Sequence, residues 1–218
     1  AFAWSLVAQP VYLANLVFWI EGDYFSGAMT KPLLHTWSLA VEEQFYVLWA
    51  PAIVLFRRFP KTVLAVVVTC ALLSLWLGYL VAPRSPKTAF YLLPTRVWEF
   101  AVGVLAFLAA GRLANIGKGT ANGVALGSIV IILLSALAFG ERSPFPGVQA
   151  LAACVASGVA LLCFDRSGGR LPSIYRAAPF TYVGRISYGL YLWHWPPLVL
   201  YFLKTGKAAD SGDAALLV

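Results

Sequence analysis

The chain has 218 residues, 61% of them hydrophobic and only 11% charged, with a mean hydropathy of +0.79. A soluble domain carries about a quarter of its residues as charges, so most of this surface faces something other than water. The net charge of +7 does not indicate a nucleic-acid binder. The basic residues form no stripe or arm and fall in short gaps between apolar runs, where the positive-inside rule places them. Eight Trp and ten Tyr suit helix ends at a bilayer interface.

In chain order, the apolar runs predict spans over 2–20, 37–56, 62–82, 90–110, 121–139, 147–164 and 182–203. That makes about seven, each long enough to cross roughly 30 Å of hydrocarbon. Turn chemistry separates them, as at Arg57-Arg58-Phe59-Pro60-Lys61, Pro83-Arg84-Ser85-Pro86, 111–119, Arg142-Ser143-Pro144 and Ser167-Gly168-Gly169. Exposed backbone cannot go unsatisfied in lipid, and the runs are too continuous for the alternation of a barrel strand. The predicted fold class is therefore all-α, a polytopic transmembrane bundle forming one membrane domain over 1–218. Cys70, Cys154 and Cys163 lie inside apolar stretches and read as small buried hydrophobes, not disulfides or metal ligands. The chain opens within an apolar run and closes on Ala214-Ala215-Leu216-Leu217-Val218, so both ends read as cuts in a longer protein.

Alternate gaps differ slightly in charge. One set holds Arg57, Arg58, Lys61, Arg112, Lys118, Arg166, Arg170 and Arg176; the other holds Lys31, Arg84, Lys87, Arg142, Lys204 and Lys207. The first set is assigned to the cytoplasm. That puts His35 at the outer face and Arg96 and Glu99 about two to three turns in from it.

Ionisable groups inside a span cost at least about 2.5–3.5 kcal/mol each and mark function by default. Three places carry them. The first is Leu34-His35-Thr36-Trp37-Ser38-Leu39-Ala40-Val41-Glu42-Glu43-Gln44-Phe45-Tyr46. The helix dipole favours acids near an N-terminus, but successive residues point about 100° apart, so one neighbour cannot stabilise both glutamates. On a continuous helix His35 shares a face with Glu42, and a His beside a carboxylate can hold or move a proton. The second is Thr95-Arg96-Val97-Trp98-Glu99-Phe100-Ala101-Val102-Gly103. Arg96 and Glu99 either pair with each other or face the bundle interior, where Arg96 could steer an anionic group or an oxyanion. Gly103 would let a neighbouring helix come close. The third is Gly184-Arg185-Ile186-Ser187-Tyr188-Gly189-Leu190-Tyr191-Leu192-Trp193-His194-Trp195-Pro196-Pro197. It sets three hydroxyls and a histidine just before a proline pair that must kink or break the helix.

At these three places the sequence resembles the acyltransferase-3 family of bacterial integral membrane acyltransferases. The first segment is long and specific, Gly184-Arg185-Ile186-Ser187-Tyr188 running into Leu190-Tyr191-Leu192-Trp193-His194-Trp195-Pro196 is nearly so, and Arg96-x-x-Glu99 with Gly103 is weak alone. The resemblance covers residues 1 to 203. It implies a domain of about ten spans in the bacterial inner membrane. Such a domain passes an acyl group, usually acetyl, from cytoplasmic acyl-CoA to a hydroxyl of an extracytoplasmic carbohydrate such as lipopolysaccharide, peptidoglycan or exopolysaccharide. Acetyl-CoA is then a substrate, and no bound cofactor, metal or nucleic acid is implied. The wording also resembles the branch in which a periplasmic esterase-like domain follows. A histidine of the family's first helix and an arginine-rich stretch would lie upstream of Ala1, and Trp49-Ala50-Pro51 stands where a Trp-Pro pair is more usual.

The expected catalytic residues are His35, Glu42, Glu43, Arg96 and Glu99. The expected substrate-binding residues are Trp37, Ser38, Tyr46, Ser187, Tyr188, Tyr191 and His194. Ser38 and Ser187 are conceivable covalent relays, but nothing in the sequence activates either. A proton-coupled transporter or flippase would use the same intramembrane charges, although no paired halves are visible. A metalloenzyme would need more than the two histidines present and an HExxH-like spacing.

Overall fold

The computed structural model describes residues 2–22, 27–111, 116–138, 148–164 and 176–208, and every regular element among them is helical. The α-helices are α1 (Phe2–Ala8), α2 (Ala14–Glu21), α3 (Trp37–Phe56), α4 (Pro60–Val81), α5 (Pro86–Tyr91), α6 (Val97–Ala109), α7 (Lys118–Ala138), α8 (Val148–Phe164), α9 (Ala178–Trp193) and α10 (Trp195–Thr205). Short 3₁₀ turns occupy Ala28–Thr30, Leu34–Thr36 and Leu93–Thr95. The stretches Leu34–Phe56, Pro60–Val81 and Lys118–Ala138 are long and apolar enough to cross a membrane, and Val97–Ala109 and Ala150–Phe164 are shorter apolar helices. The chain is a helical membrane protein. The loop residues Arg142-Ser143-Pro144 and Ser167-Gly168-Gly169, the ends of the expected spans at 139 and 147, and the basic residues Arg112, Arg166 and Arg170 lie outside the described residues.

Prolines decide where these helices start. Pro60 opens α4 and Pro86 opens α5 at positions where the missing N–H costs nothing. The expected spans over 37–56 and 62–82 appear as α3 and α4. Three others are interrupted. The run over 2–20 divides into α1 and α2 because Pro10 cannot donate back along the helix. Tyr12 there takes a left-handed φ of 58°, and the Leu13 N–H closes onto the Ala8 carbonyl at 3.0 Å. The run over 90–110 divides at Pro94 into α5, the turn Leu93–Thr95 and α6. Arg96 is consequently the residue preceding α6, not one buried two to three turns inside a span. The run over 182–203 divides at His194, where the proline pair was expected to break it. Pro51 lies within α3 without ending it.

The chain forms two compact units, one of residues 1–44 and 177–218 and the other of residues 45–176. In the second, Val63, Val67 and Ala101 make a core faced by Trp49, Ile53 and Leu105, and Phe45 stacks on Trp49 and Phe100. Ala121, Ala125 and Cys163 make another, between α7 and α8. Small residues bring these helices close, as dispersion packing in lipid requires. The tight approach falls at Gly158 of α8, where a Cβ would lie 2.8 Å from Val102 Cγ1 of α6. A Cβ on Gly103 would meet nothing within 4 Å, so the glycine expected to admit a neighbour is not the one that does. All three cysteines are free, with Cys163 buried. Gly158→Leu is expected to lower stability by about 1–3 kcal/mol, because the stiff Val102 branch cannot yield. An unchanged thermal unfolding midpoint in detergent would show that α6 and α8 part without cost.

Candidate functional site: an imidazole–hydroxyl cluster

The first unit places His35 in the 3₁₀ turn that leads into α3. Its side chain is only 6% exposed, and neither ring nitrogen has a hydrogen-bond partner. Two rings from the α9–α10 junction stand against it edge-on. The His35 centroid is 5.5 Å from Tyr191 and 5.4 Å from His194, and those two are 5.6 Å apart.

The proline pair explains why this junction can build a site. Pro196 and Pro197 supply no N–H, so the last carbonyls of α9 lose their usual donors. The His194 ring turns back on its own helix beside that gap, with Nδ1 lying 2.7 Å from the Tyr191 carbonyl. A carbonyl only accepts, so this nitrogen carries a proton. The Tyr191 hydroxyl donates to the His35 carbonyl and shares a short hydrogen bond with Ser38 Oγ. Ser38 Oγ in turn lies 3.3 Å from the His35 carbonyl. Trp195 Nε1 donates to the Lys31 carbonyl at 2.9 Å, tying the start of α10 to the segment before His35. His35, Ser38, Tyr191 and His194 thus come together although some 150 residues separate them.

Two further donors hold this corner, and neither was picked out from the sequence. Gln9 Nε2 donates to Thr36 Oγ1 at 2.6 Å, which donates to the Leu33 carbonyl at 2.6 Å. Gln44 Nε2 donates to the Tyr12 carbonyl and to Asn15 Oδ1 at 2.7 and 2.8 Å, and Asn15 is fully buried. Their signal was present: an amide in an apolar run needs a partner as much as a charge does.

The other expected site residues fall elsewhere. Glu42, Glu43 and Trp37 lie on the first two turns of α3, with Trp37 buried and both glutamates half-buried. Ser187 is exposed and bonds back to the Gly184 carbonyl of its own helix at 2.8 Å. Tyr188 is exposed on α9, and Tyr46 on the part of α3 that belongs to the second unit.

Arg96 and Glu99 also belong to the second unit. Of the two arrangements the sequence left open, the pairing is present: Arg96 Nη2 lies 2.6 Å from Glu99 Oε2, with Nε 3.1 Å from both carboxylate oxygens. A cation is unfavourable at the positive end of a helix, and an acid in the first turn is favourable, so Glu99 offsets the position of Arg96. Pro94 removes the donor that the Phe90 carbonyl would otherwise receive, and Arg96 Nη1 lies 3.5 Å from that oxygen. Thr95 Oγ1 reaches the Ala89 and Leu92 carbonyls at 2.9 and 2.8 Å. Among the described residues no three His, Cys, Asp or Glu side chains are grouped to hold a metal ion.

The family model for the acyltransferase domain, acyltransferase-3, matches residues 1–211. The chain belongs to the acyltransferase-3 family. The domain is 31% identical over 208 residues to the peptidoglycan O-acetyltransferase OatA of Listeria monocytogenes, covering 89% of this chain and 33% of that protein. It is 29% identical over 217 residues to a Komagataeibacter xylinus protein provisionally named membrane-bound transacylase BcsY, covering 95% of this chain and 53% of that one. It is 30% identical over 213 residues to a Bacillus subtilis protein provisionally named peptidoglycan O-acetyltransferase YrhL, covering 89% and 33%. The acyltransferase-3 chain therefore spans from about a third to about half the length of these relatives. No solved structure gives a significant match to it.

The Arg96–Glu99 pair is nearly enclosed, with side-chain exposures of 14% and 12%. Removing one partner strands a desolvated charge, at a cost of about 3–5 kcal/mol for a buried pair. In a double-mutant cycle on the intact acyltransferase-3 protein, Arg96→Ala is expected to destabilise more than Arg96→Ala combined with Glu99→Ala. Additive losses in the unfolding midpoint would show that the two charges are solvated independently.

Proposed function

We propose that the protein is an O-acyltransferase of the bacterial inner membrane that moves an acyl group, acetyl by preference, from acyl-CoA to a hydroxyl of a cell-envelope carbohydrate. Family membership gives the reaction class. The relatives named as peptidoglycan O-acetyltransferases support the acceptor class.

The observation that carries the reading is His35, a buried imidazole with both nitrogens unpaired in a wall of hydroxyl and imidazole groups. An unpaired buried polar group costs about 1–3 kcal/mol, and a sugar hydroxyl, which both donates and accepts, is the complement of a neutral imidazole. In the proposed step the sugar oxygen attacks the thioester carbonyl, the C–O bond forms and the C–S bond breaks. His35 takes the hydroxyl proton as general base and returns it to the departing thiolate. Ser38, Tyr191 and His194 position the imidazole, Glu42 and Glu43 relay that same proton between His35 and the thiolate, and Trp37, Ser187 and Tyr188 offer ring faces and hydroxyls to the sugar. Any anionic part of the donor would have to compete with Glu99 for Arg96, so that pair enters the proposal as a charge-conserving clamp.

The test is transfer of labelled acetyl from acetyl-CoA to envelope glycan in membranes containing the full-length protein. Label is expected in glycan with the native protein. It is expected to fall at least about a hundredfold with His35→Gln, which keeps a donor and an acceptor but cannot carry the proton. No label from the native protein, with sound expression and several acceptors offered, would favour transport over transfer. Tyr191→Phe retains the ring and loses two hydrogen bonds. A drop of about tenfold to a hundredfold in rate, at an unchanged membrane level, is expected from misplaced geometry. Full activity would remove Tyr191 from the positioning role. Glu42→Gln and Glu43→Gln are each expected to abolish transfer while protein levels hold, and wild-type rates in both would end the proton-relay assignment.

A further inference from the structure

The turn between α3 and α4 joins an apolar groove to three cations. Trp49, Ala52, Ile53 and Phe56 form a stripe at helical spacing on α3, and Val63 and Val66 face them from α4. They line a cavity of about 110 Å³ whose one lining residue with a polar side chain is Thr62, beside the turn. Phe59 closes that turn by donating from its N–H to the Phe56 carbonyl at 2.8 Å. Arg57, Arg58 and Lys61 are exposed there, next in sequence to the groove-lining Phe56 and Thr62. The sequence holds no Asp or Glu from residue 44 through residue 98, so nothing nearby in the chain offsets three positive charges.

We propose that this hairpin is a binding site for one anionic phospholipid, with an acyl chain in the groove and the phosphate against Arg57, Arg58 and Lys61. The charge complementarity selects the occupant. A zwitterionic lipid or a plain hydrocarbon would fill the groove and leave the cations unmatched, whereas an acidic headgroup gains from each of them at the membrane surface. Arginine adds a planar fork suited to phosphate oxygens. The site does not depend on the acyl-transfer reading.

The experiment is native mass spectrometry of the full-length protein in detergent, with phosphatidylglycerol and phosphatidylcholine of identical acyl chains offered in turn. Preferential retention of phosphatidylglycerol is expected, weakening about fivefold for each of Arg57→Gln, Arg58→Gln and Lys61→Gln. Ala52→Trp, which fills the groove, is expected to remove both lipids from the site. Because that variant can disturb packing, a photo-crosslinking amino acid at Val66 in otherwise native protein provides a second readout, and it is expected to label phosphatidylglycerol. Equal retention of the two lipids, or indifference to the three charge substitutions, would overturn the proposal. Crosslinks only to another segment of the protein or to a second copy would also overturn it, as would stoichiometric occupation by acyl-CoA in place of lipid.

Discussion

In hydrocarbon, a backbone carbonyl that loses its helical donor finds no water to replace it. This constraint organises the described structure. Each proline interruption removes an N–H from a run that must stay saturated, and polar side chains reach backbone carbonyls around each break. At Pro94 the donors are Thr95 and Arg96, reaching the carbonyls of Ala89, Leu92 and Phe90. Beside Pro196 and Pro197 the His194 ring turns back onto the Tyr191 carbonyl. In the turn after Pro10, Gln44 reaches the Tyr12 carbonyl. Arg96 and His194 are also among the residues the sequence marks as candidates for chemistry. Interrupting a helix thus both requires polar side chains in an apolar setting and gives them a fixed address.

Much of this was legible in the sequence, and the failures share a cause. Apolar length placed α3 and α4 well, because α4 has its proline at the first position and α3 continues past Pro51. Length misjudged 2–20 and 90–110, because a hydropathy window does not register that Pro10 and Pro94 withdraw a donor. The pair at 196–197 was recognised as a break because two consecutive prolines leave no helical alternative. Gly103 and Gly158 show a different limit. Both sit in apolar helices, and only the packing of α6 on α8 reveals which one faces a neighbour.

For the candidate site, the sequence pointed to the segments that meet in the imidazole–hydroxyl cluster but not to their association. His35 and Ser38 belong to one segment, Tyr191 and His194 to another, and the ring contacts between them are tertiary facts with no local signature. The pairing of Arg96 with Glu99 was legible, because i and i+3 geometry is local. Its role at a helix entrance was not, since that depended on where Pro94 would end the preceding helix. The amides Gln9 and Gln44 were overlooked because uncharged groups attract less notice than charges, yet their burial demands partners just as strictly.

The contrast between local and distant closures also orders the assembly of the protein. The bonds sealing the Pro94 break join residues at most six apart and can form as soon as that stretch leaves the ribosome. The hydroxyl bridge from Tyr191 to His35 spans 156 residues, and synthesis proceeds from the N-terminus. The turn carrying His35 therefore waits in the membrane without its Tyr191 donor until α9 has been made. A nascent chain arrested before α9 would hold a finished Arg96 corner and an incomplete imidazole cluster, so the candidate site is completed late in biogenesis.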